Sequence, residues 1–370
     1  MKKELSLLLT LITPIFILNC SGKPNIPKPI QNSRPVVNNY PRVVKTPIIS
    51  TPPAKVVVNN NQELLGSPIK KEPIVIKQTT TRPKEIKRRE ITHRNIAVNG
   101  RTLLSKKFKL PNIIKESSGL IKIDGRVWTI NDSGGKAKLY QIDENSGHIV
   151  KTVTIKGAYN HDWEALAYDN NYVYIGDFGN NRGNRRDLKV YKIVRADLKN
   201  RKSTRAEVIN FSYSDQKSFK SKLRKNNFDC EAMVAYHGKL YLFSKNWQNS
   251  KTRLYQLSTS AGKHVAQYKD SFNVQGLITD ASINKELDIL ILSSYSKLLS
   301  VNIWAFTNYN QENFFKGSSK KLTLNSLNAQ VEGITFIDNY KAYLSSEAFS
   351  RYIFSFDANL YKIDFSREFN

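Results

Sequence analysis

Apolar and polar positions follow three different rhythms along this chain. Residues 7–18 are almost all apolar and follow Met1-Lys2-Lys3. Residues 21–92 keep no period. From Arg101 onward, short segments alternate apolar with polar residues, the spacing of strands with one buried face. Nowhere does a 3.6-residue period persist, so helices are not expected to dominate. The pattern predicts a signal peptide over 1–19, a tether over 20–100 and an all-β domain over 101–370.

Within the domain one template recurs. It opens on a polar residue, then a spacer, a second polar residue, a small residue and an aliphatic one. The copies are Glu116-Ser117-Ser118-Gly119-Leu120, Asp162-Trp163-Glu164-Ala165-Leu166, Asp229-Cys230-Glu231-Ala232-Met233, Asn273-Val274-Gln275-Gly276-Leu277 and Gln330-Val331-Glu332-Gly333-Ile334. A second apolar run follows each, over 127–131, 172–176, 240–244, 289–293 and 342–345. Two more runs complete most units, and the fifth is one short, with 103–110 available to fill it. Four-stranded units repeating every 44 to 67 residues fit the blades of a β-propeller, most simply five. The stretch between Asp177 and Asp229 is long enough to hide a sixth. A ring closed by the N-terminal strand leaves no open sheet edge.

In such a ring the first strands line a central channel. The third template position then gives one polar ring (Ser118, Glu164, Glu231, Gln275, Glu332), and the first gives another (Glu116, Asp162, Asp229, Asn273, Gln330). Residues two apart on a strand share a face, so both rings point the same way. Facing carboxylates cannot all stay ionised without a cation or basic partners. Carboxylate and amide oxygens suit Ca²⁺ better than the stricter Mg²⁺. The candidate metal ligands are Glu164, Glu231, Glu332, Gln275, Asp162 and Asp229. A second reading has these acids capping backbone N–H groups and pairing with local arginines. The loops after the second strands would form one rim, carrying Asn131, Asp132, Asp177, Asn180, Lys245, Trp247, Tyr295 and Glu347 as candidate contacts for a polar ligand. Arg182, Arg185 and Arg186 follow the second loop and could meet phosphate or carboxylate.

Charge changes the picture at the N-terminal side. The chain holds 58 Lys and Arg against 31 acids, a net +27, and residues 21–100 supply 15 basic and 4 acidic of these. The domain is basic but without a dense cluster. Such a field favours anionic partners, whereas nucleic acid is not expected, because no basic stripe carries interleaved stacking aromatics. Of 13 prolines, 11 lie between Pro24 and Pro83, so the tether is expected to be disordered and semi-rigid. At about 3 Å per residue in polyproline geometry it would reach on the order of 200 Å. The apolar start is too short for a permanent membrane helix but fits a secretory signal. It ends Ile17-Leu18-Asn19-Cys20-Ser21, which resembles the lipobox of bacterial lipoproteins, although Asn19 stands where a small residue is usual. That resemblance implies lipid on Cys20, a membrane partner and, with Ser21 rather than Asp next, an outer-membrane place in the cell envelope.

Catalytic signatures are thin. No His-Glu-x-x-His, Gly-x-Ser-x-Gly or P-loop occurs. His161, beside Asp162 and Glu164, is the candidate base, and these three are the candidate catalytic set. With Cys20 lipidated, Cys230 is the domain's only thiol, so no internal disulfide forms. Acids on both sides should raise its pKa and keep it unreactive.

The strings Glu-Ser-Ser-Gly-Leu, Trp-Thr-Ile-Asn-Asp-Ser-Gly-Gly, Asp-Trp-Glu-Ala-Leu-Ala and Tyr-Ile-Gly-Asp-Phe-Gly-Asn-Asn resemble bacterial secreted and lipoprotein β-propellers. More distantly they are similar to the esterase-like phytase and paraoxonase/gluconolactonase propellers. The resemblance covers roughly residues 105–365. It implies a channel Ca²⁺ held by Glu164, Glu231 and Glu332 and hydrolysis of esters, lactones or phosphate esters, but the lactonases' catalytic histidine has no counterpart here. Two functions follow. One is a lipid-anchored, monomeric module binding an envelope glycan, polymer or protein; the other is a Ca²⁺-dependent hydrolase.

Overall fold

The computed structural model describes residues 93–98, 104–296, 300–324, 329–351 and 354–369. The predicted signal peptide, Cys20 and the tether up to residue 92 lie outside them. All described residues belong to one compact unit, Arg88–Asn370.

Strands dominate, arranged as successive antiparallel meanders. The first runs Ser117–Ile123, Arg126–Asn131, Lys138–Ile142, Ile149–Lys156, and the second Trp163–Tyr168, Tyr172–Asp177, Lys189–Val194, Glu207–Tyr213. The third runs Asp229–Tyr236, Lys239–Lys245, Thr252–Ser258, Gly262–Phe272, and the fourth Leu277–Asn284, Ile289–Tyr295, Val301–Thr307, Ser318–Leu324. The last consists of Val331–Phe336, Lys341–Ser346 and Asn359–Asp364, with Leu104–Lys109 paired antiparallel to Asn359–Asp364. The first strand of each meander packs on the first strand of the next, and Val331–Phe336 packs on Ser117–Ile123. This order of strands fits a β-propeller.

The core explains why the segments pack in this way. Second strands such as Lys239–Lys245 are buried on both faces, so their runs read as nearly continuous apolar sequence. Side chains from neighbouring meanders interdigitate: Phe178 and Phe211 of the second with Met233 and Leu242 of the third, and Tyr241 and Phe243 of the third with Leu292 and Phe306 of the fourth. Leu344 joins Ile291 and Ile303, Leu360 joins Leu120 and Val127, and Trp128 joins Leu166 and Ile175. Each wholly buried side chain of this size contributes about 2–3 kcal/mol.

Two expectations change. The stretch between Asp177 and Asp229 holds two strands of the second meander, the helix Arg195–Asn200, the strand Ser203–Arg205 and a long loop. The expected tether also ends earlier than residue 100, because His93–Val98 is a strand, parallel to Ser318–Leu324. Backbone pairing to an open edge needs no sequence pattern beyond an extended segment, and it covers an edge that would otherwise stay exposed. Ser203–Arg205 covers the outer edge of the first meander in the same parallel manner.

Candidate functional site

Pairing between first and second strands skips one residue in every meander: Gly119, Glu164, Glu231, Thr279 and Glu332. This shared bulge sets the true register of the repeat. It corrects the first template copy by one residue and the fourth by four. Gly119, not Ser118, is the counterpart of Glu164; its φ is 65° and a Cβ there would lie 2.8 Å from the Leu166 nitrogen, so no side chain fits. Ser118 instead donates to the Glu164 carbonyl at 2.8 Å. In the fourth meander the counterpart is Thr279, hydrogen-bonded to Ser293 at 2.9 Å. Gln275 and Asn273 lie on the surface, and Gln275 accepts from Lys321 at 3.1 Å. The expected polar ring of five thus loses Ser118 and Gln275 and keeps its three glutamates, with Gly119 and Thr279 in the other two places.

These glutamates gather with other acids: Glu164 lies near Asp132, Asp162, Asp229 and Glu231, and Glu231 near Glu332. Ligand oxygens of Asp132, Asp162 and Glu164 all lie within 4.8 Å of one another. Asp132 comes from the loop after the second strand of the first meander, and Asn160 holds that loop in place. The Asn160 amide donates to the carbonyls of Asn131 and Asp132 at 2.9 and 2.8 Å, while its oxygen accepts from the Trp163 nitrogen at 3.2 Å. Sequence reading placed Asp132 on the rim and gave Asn160 no role. An Asn just ahead of the template and an Asn-Asp turn were the signals available. Gly179 lies directly against the cluster: a Cβ there would collide with Glu164 Oε1 and Asp162 Oδ2. A backbone without a side chain thus leaves the gap onto which both carboxylates converge.

The remaining acids are held differently. Asp229 accepts from the Asn180 nitrogen at 2.5 Å and from Trp247 Nε1 at 2.6 Å. Glu231 pairs with buried Lys245 at 3.1 Å, whose ammonium lies 5.3 Å from the ring centres of both Trp247 and Tyr295. Glu332 accepts from Gln330 at 3.0 Å. Asp177 is fully buried and pairs with Arg185 at 2.7 Å, and Arg185 also donates to the Gly179 carbonyl at 2.8 Å and lies 4.0 Å from Asp162. Asn180 ties its loop to the third meander through the Phe228 carbonyl at 3.1 Å. His161 is about half exposed and faces Asp187 at 3.4 Å, so it is not among the converging groups. Asn131 reaches the Ile113 carbonyl at 2.7 Å, and half-buried Glu347 completes the acidic wall.

Electrostatics follow from this crowding. Burial, then the charges of Asp132 and Glu231, push the Glu164 carboxyl well above its ordinary range. Burial and the neighbouring Asp132 and Asp229 do the same to Asp162, and burial with Glu332 and Asp132 to Glu347. Asp132 is pushed up to about 7, chiefly by burial. Burial disfavours the charge on Lys245, but Glu231 and Glu332 outweigh it and hold the ammonium well above its usual range. Glu164 is 5% exposed, and among the described residues no hydrogen-bond donor reaches its carboxylate. The donor set is all oxygen and crowded with negative charge, which fits a hard cation such as Ca²⁺. Cys230 is buried, and burial, ahead of its acidic neighbours, pushes its thiol up.

No protein-family model matches the chain, and no curated protein matches it. Among solved structures, a nidogen/laminin complex is similar at 13% identity, covering 66% of this chain and 84% of that one with a TM-score of 0.36. A β-xylosidase, RS223, is similar at 17% identity, with 55% and 73% covered and a TM-score of 0.38. A mitotic checkpoint complex gives 10% identity, 65% and 62% covered and 0.32. Likenesses this distant say nothing about chemistry, which rests on the residues themselves.

Proposed function

We propose that this chain is a lipid-tethered, five-bladed β-propeller of the bacterial cell envelope whose acidic channel mouth holds Ca²⁺ as part of a binding site. The order of the meanders and the cyclic packing of their first strands support the blade count. The pairing of Leu104–Lys109 with Asn359–Asp364 supports closure from the N-terminal side. The observation that carries the binding site is the convergence of Asp132, Asp162 and Glu164 over Gly179. These three would hold the ion, with Glu231 and Glu332 completing the acidic wall. Bound Ca²⁺ would offer open coordination positions to hydroxyl, carboxylate or phosphate oxygens of an envelope glycan, polymer or protein. Half-buried Trp247 and Tyr295, whose rings flank the Lys245 ammonium, supply aromatic faces for such a ligand.

Hydrolysis of a phosphate ester, ester or lactone is the second reading. It is favoured by the same convergence of Asp132, Asp162 and Glu164, since a cation held there would polarise a phosphoryl or carbonyl oxygen.

Metal analysis of the purified full chain tests the proposal. We expect bound calcium and a melting temperature that rises with Ca²⁺ and falls with chelator. Both effects should vanish in Gly179→Ala, whose methyl would fill the gap, and in the gentler Glu164→Gln. A metal-free native chain whose melting ignores calcium and chelator would overturn the reading.

A further inference from the structure

Beside the acidic mouth, two loops far apart in sequence form one basic surface. Residues 181–186 carry Arg182 and Arg186, and residues 216–225 carry Lys217, Lys220, Lys222 and Lys225, all six exposed. The loops are built onto each other. The Lys222 and Arg224 nitrogens donate to the Arg182 and Asn181 carbonyls, each at 2.8 Å. Buried Gln216 and Asn226 donate to the Gly183 and Asn181 carbonyls, both at 2.9 Å. Arg186 stacks 3.8 Å from the Phe219 ring centre. Among the described residues, no ion pair engages these six cations. The nearest acids are committed elsewhere: Asp215 to Arg253, and Asp187 to Arg185 and Lys189.

Unpaired cations on a preformed surface call for an anionic partner, and the loop tip says which kind. Leu223 stands 48% exposed in the middle of Lys220, Lys222 and Lys225. An exposed apolar side chain ringed by lysines gains nothing from a soluble polyanion, but it can enter the headgroup region of a bilayer while the lysines meet lipid phosphates. We infer that these paired loops dock the domain on an anionic phospholipid surface. The contact uses none of the cation-site residues; as a second attachment beside lipid on Cys20 it rests on the proposed function.

The full chain carrying Cys20→Ala, so that no lipid contributes, would be mixed with vesicles of phosphatidylcholine alone or with an equal part of phosphatidylglycerol. Partition to the anionic vesicles is expected and should weaken with salt. It should fall by roughly a hundredfold or more when Lys217, Lys220, Lys222 and Lys225 are changed together to Ser. Leu223→Ser should weaken it severalfold at unchanged melting temperature. Partition that survives the four-lysine change would place the contact on the basic tether and overturn the inference. So would binding indifferent to Leu223→Ser and equally well competed by soluble polyphosphate, which would point to a dissolved polyanion.

Discussion

Asp280 and Glu164 are both buried carboxylates on first strands of this domain, and their surroundings differ in one respect. Asp280 accepts from the Leu120 nitrogen of the first meander at 3.2 Å, from Ile334 of the last at 2.8 Å, and from its neighbour Ala281 at 2.8 Å. It ties three first strands together through backbone donors. Glu164 is nearly as buried but has acids, not donors, for company. A buried carboxylate satisfied by N–H groups is structure, whereas one left among like charges is a place for a cation. Burial raises both carboxyls, but the two should respond to mutation and calcium in opposite ways.

Breaking the satisfied side should have the largest effect. Asp280→Ala strands three buried N–H groups, each costing about 1–3 kcal/mol. Chemical denaturation should show a loss of roughly 3–5 kcal/mol that added calcium does not restore. A change below about 1 kcal/mol would mean that the strands do not depend on this tie.

Removing the resident cation should come next. Lys245→Met leaves Glu231 and Glu332 without their nearest positive charge, and breaking a buried pair costs about 3 kcal/mol at neutral pH. Calcium should recover a larger share of that loss than it adds to the native chain. A loss that calcium leaves untouched would separate Lys245 from the acidic cluster.

The clustered acids were legible because three template copies share Asp/Gln-x-Glu-small-aliphatic, and Glu164, Glu231 and Glu332 occupy the same bulge. The first and fourth copies misled because polar-x-polar-small recurs by chance in Glu116-Ser117-Ser118-Gly119 and Asn273-Val274-Gln275-Gly276. Only pairing to the second strand decides the bulge, which is how Thr279 and Asp280 were missed. An Asp inside the apolar strand Leu277–Asn284 was the available signal. The strand ends were readable from alternation, as in 103–110, observed at Leu104–Lys109. The strand His93–Val98 was hidden, since parallel pairing to an edge leaves no periodic signature. The basic loop pair was legible only in one half, where Lys217, Lys220, Lys222, Arg224 and Lys225 crowd one stretch, because Arg182 and Arg186 are separated from it in sequence by three strands and a helix.

The smallest effect is also the most direct test, because calcium and Glu164→Gln act on the unsatisfied side, whereas burial raises the carboxyls on both sides. A carboxyl raised in the folded state makes folding take up protons. The share of stability from these raised carboxyls is therefore fully present below the unfolded carboxyl range near about 4 and declines as pH rises, through about 7 for Asp132. The measurement is the melting temperature of the full chain at pH 5.5 and pH 8, with calcium and with chelator, beside Glu164→Gln. With chelator the native chain should melt several degrees lower at the higher pH, and calcium should close most of that gap. Glu164→Gln should narrow the gap without calcium and respond little to it. Equal melting at both pH values with chelator, or a calcium response undiminished in Glu164→Gln, would contradict a cation site at the channel mouth.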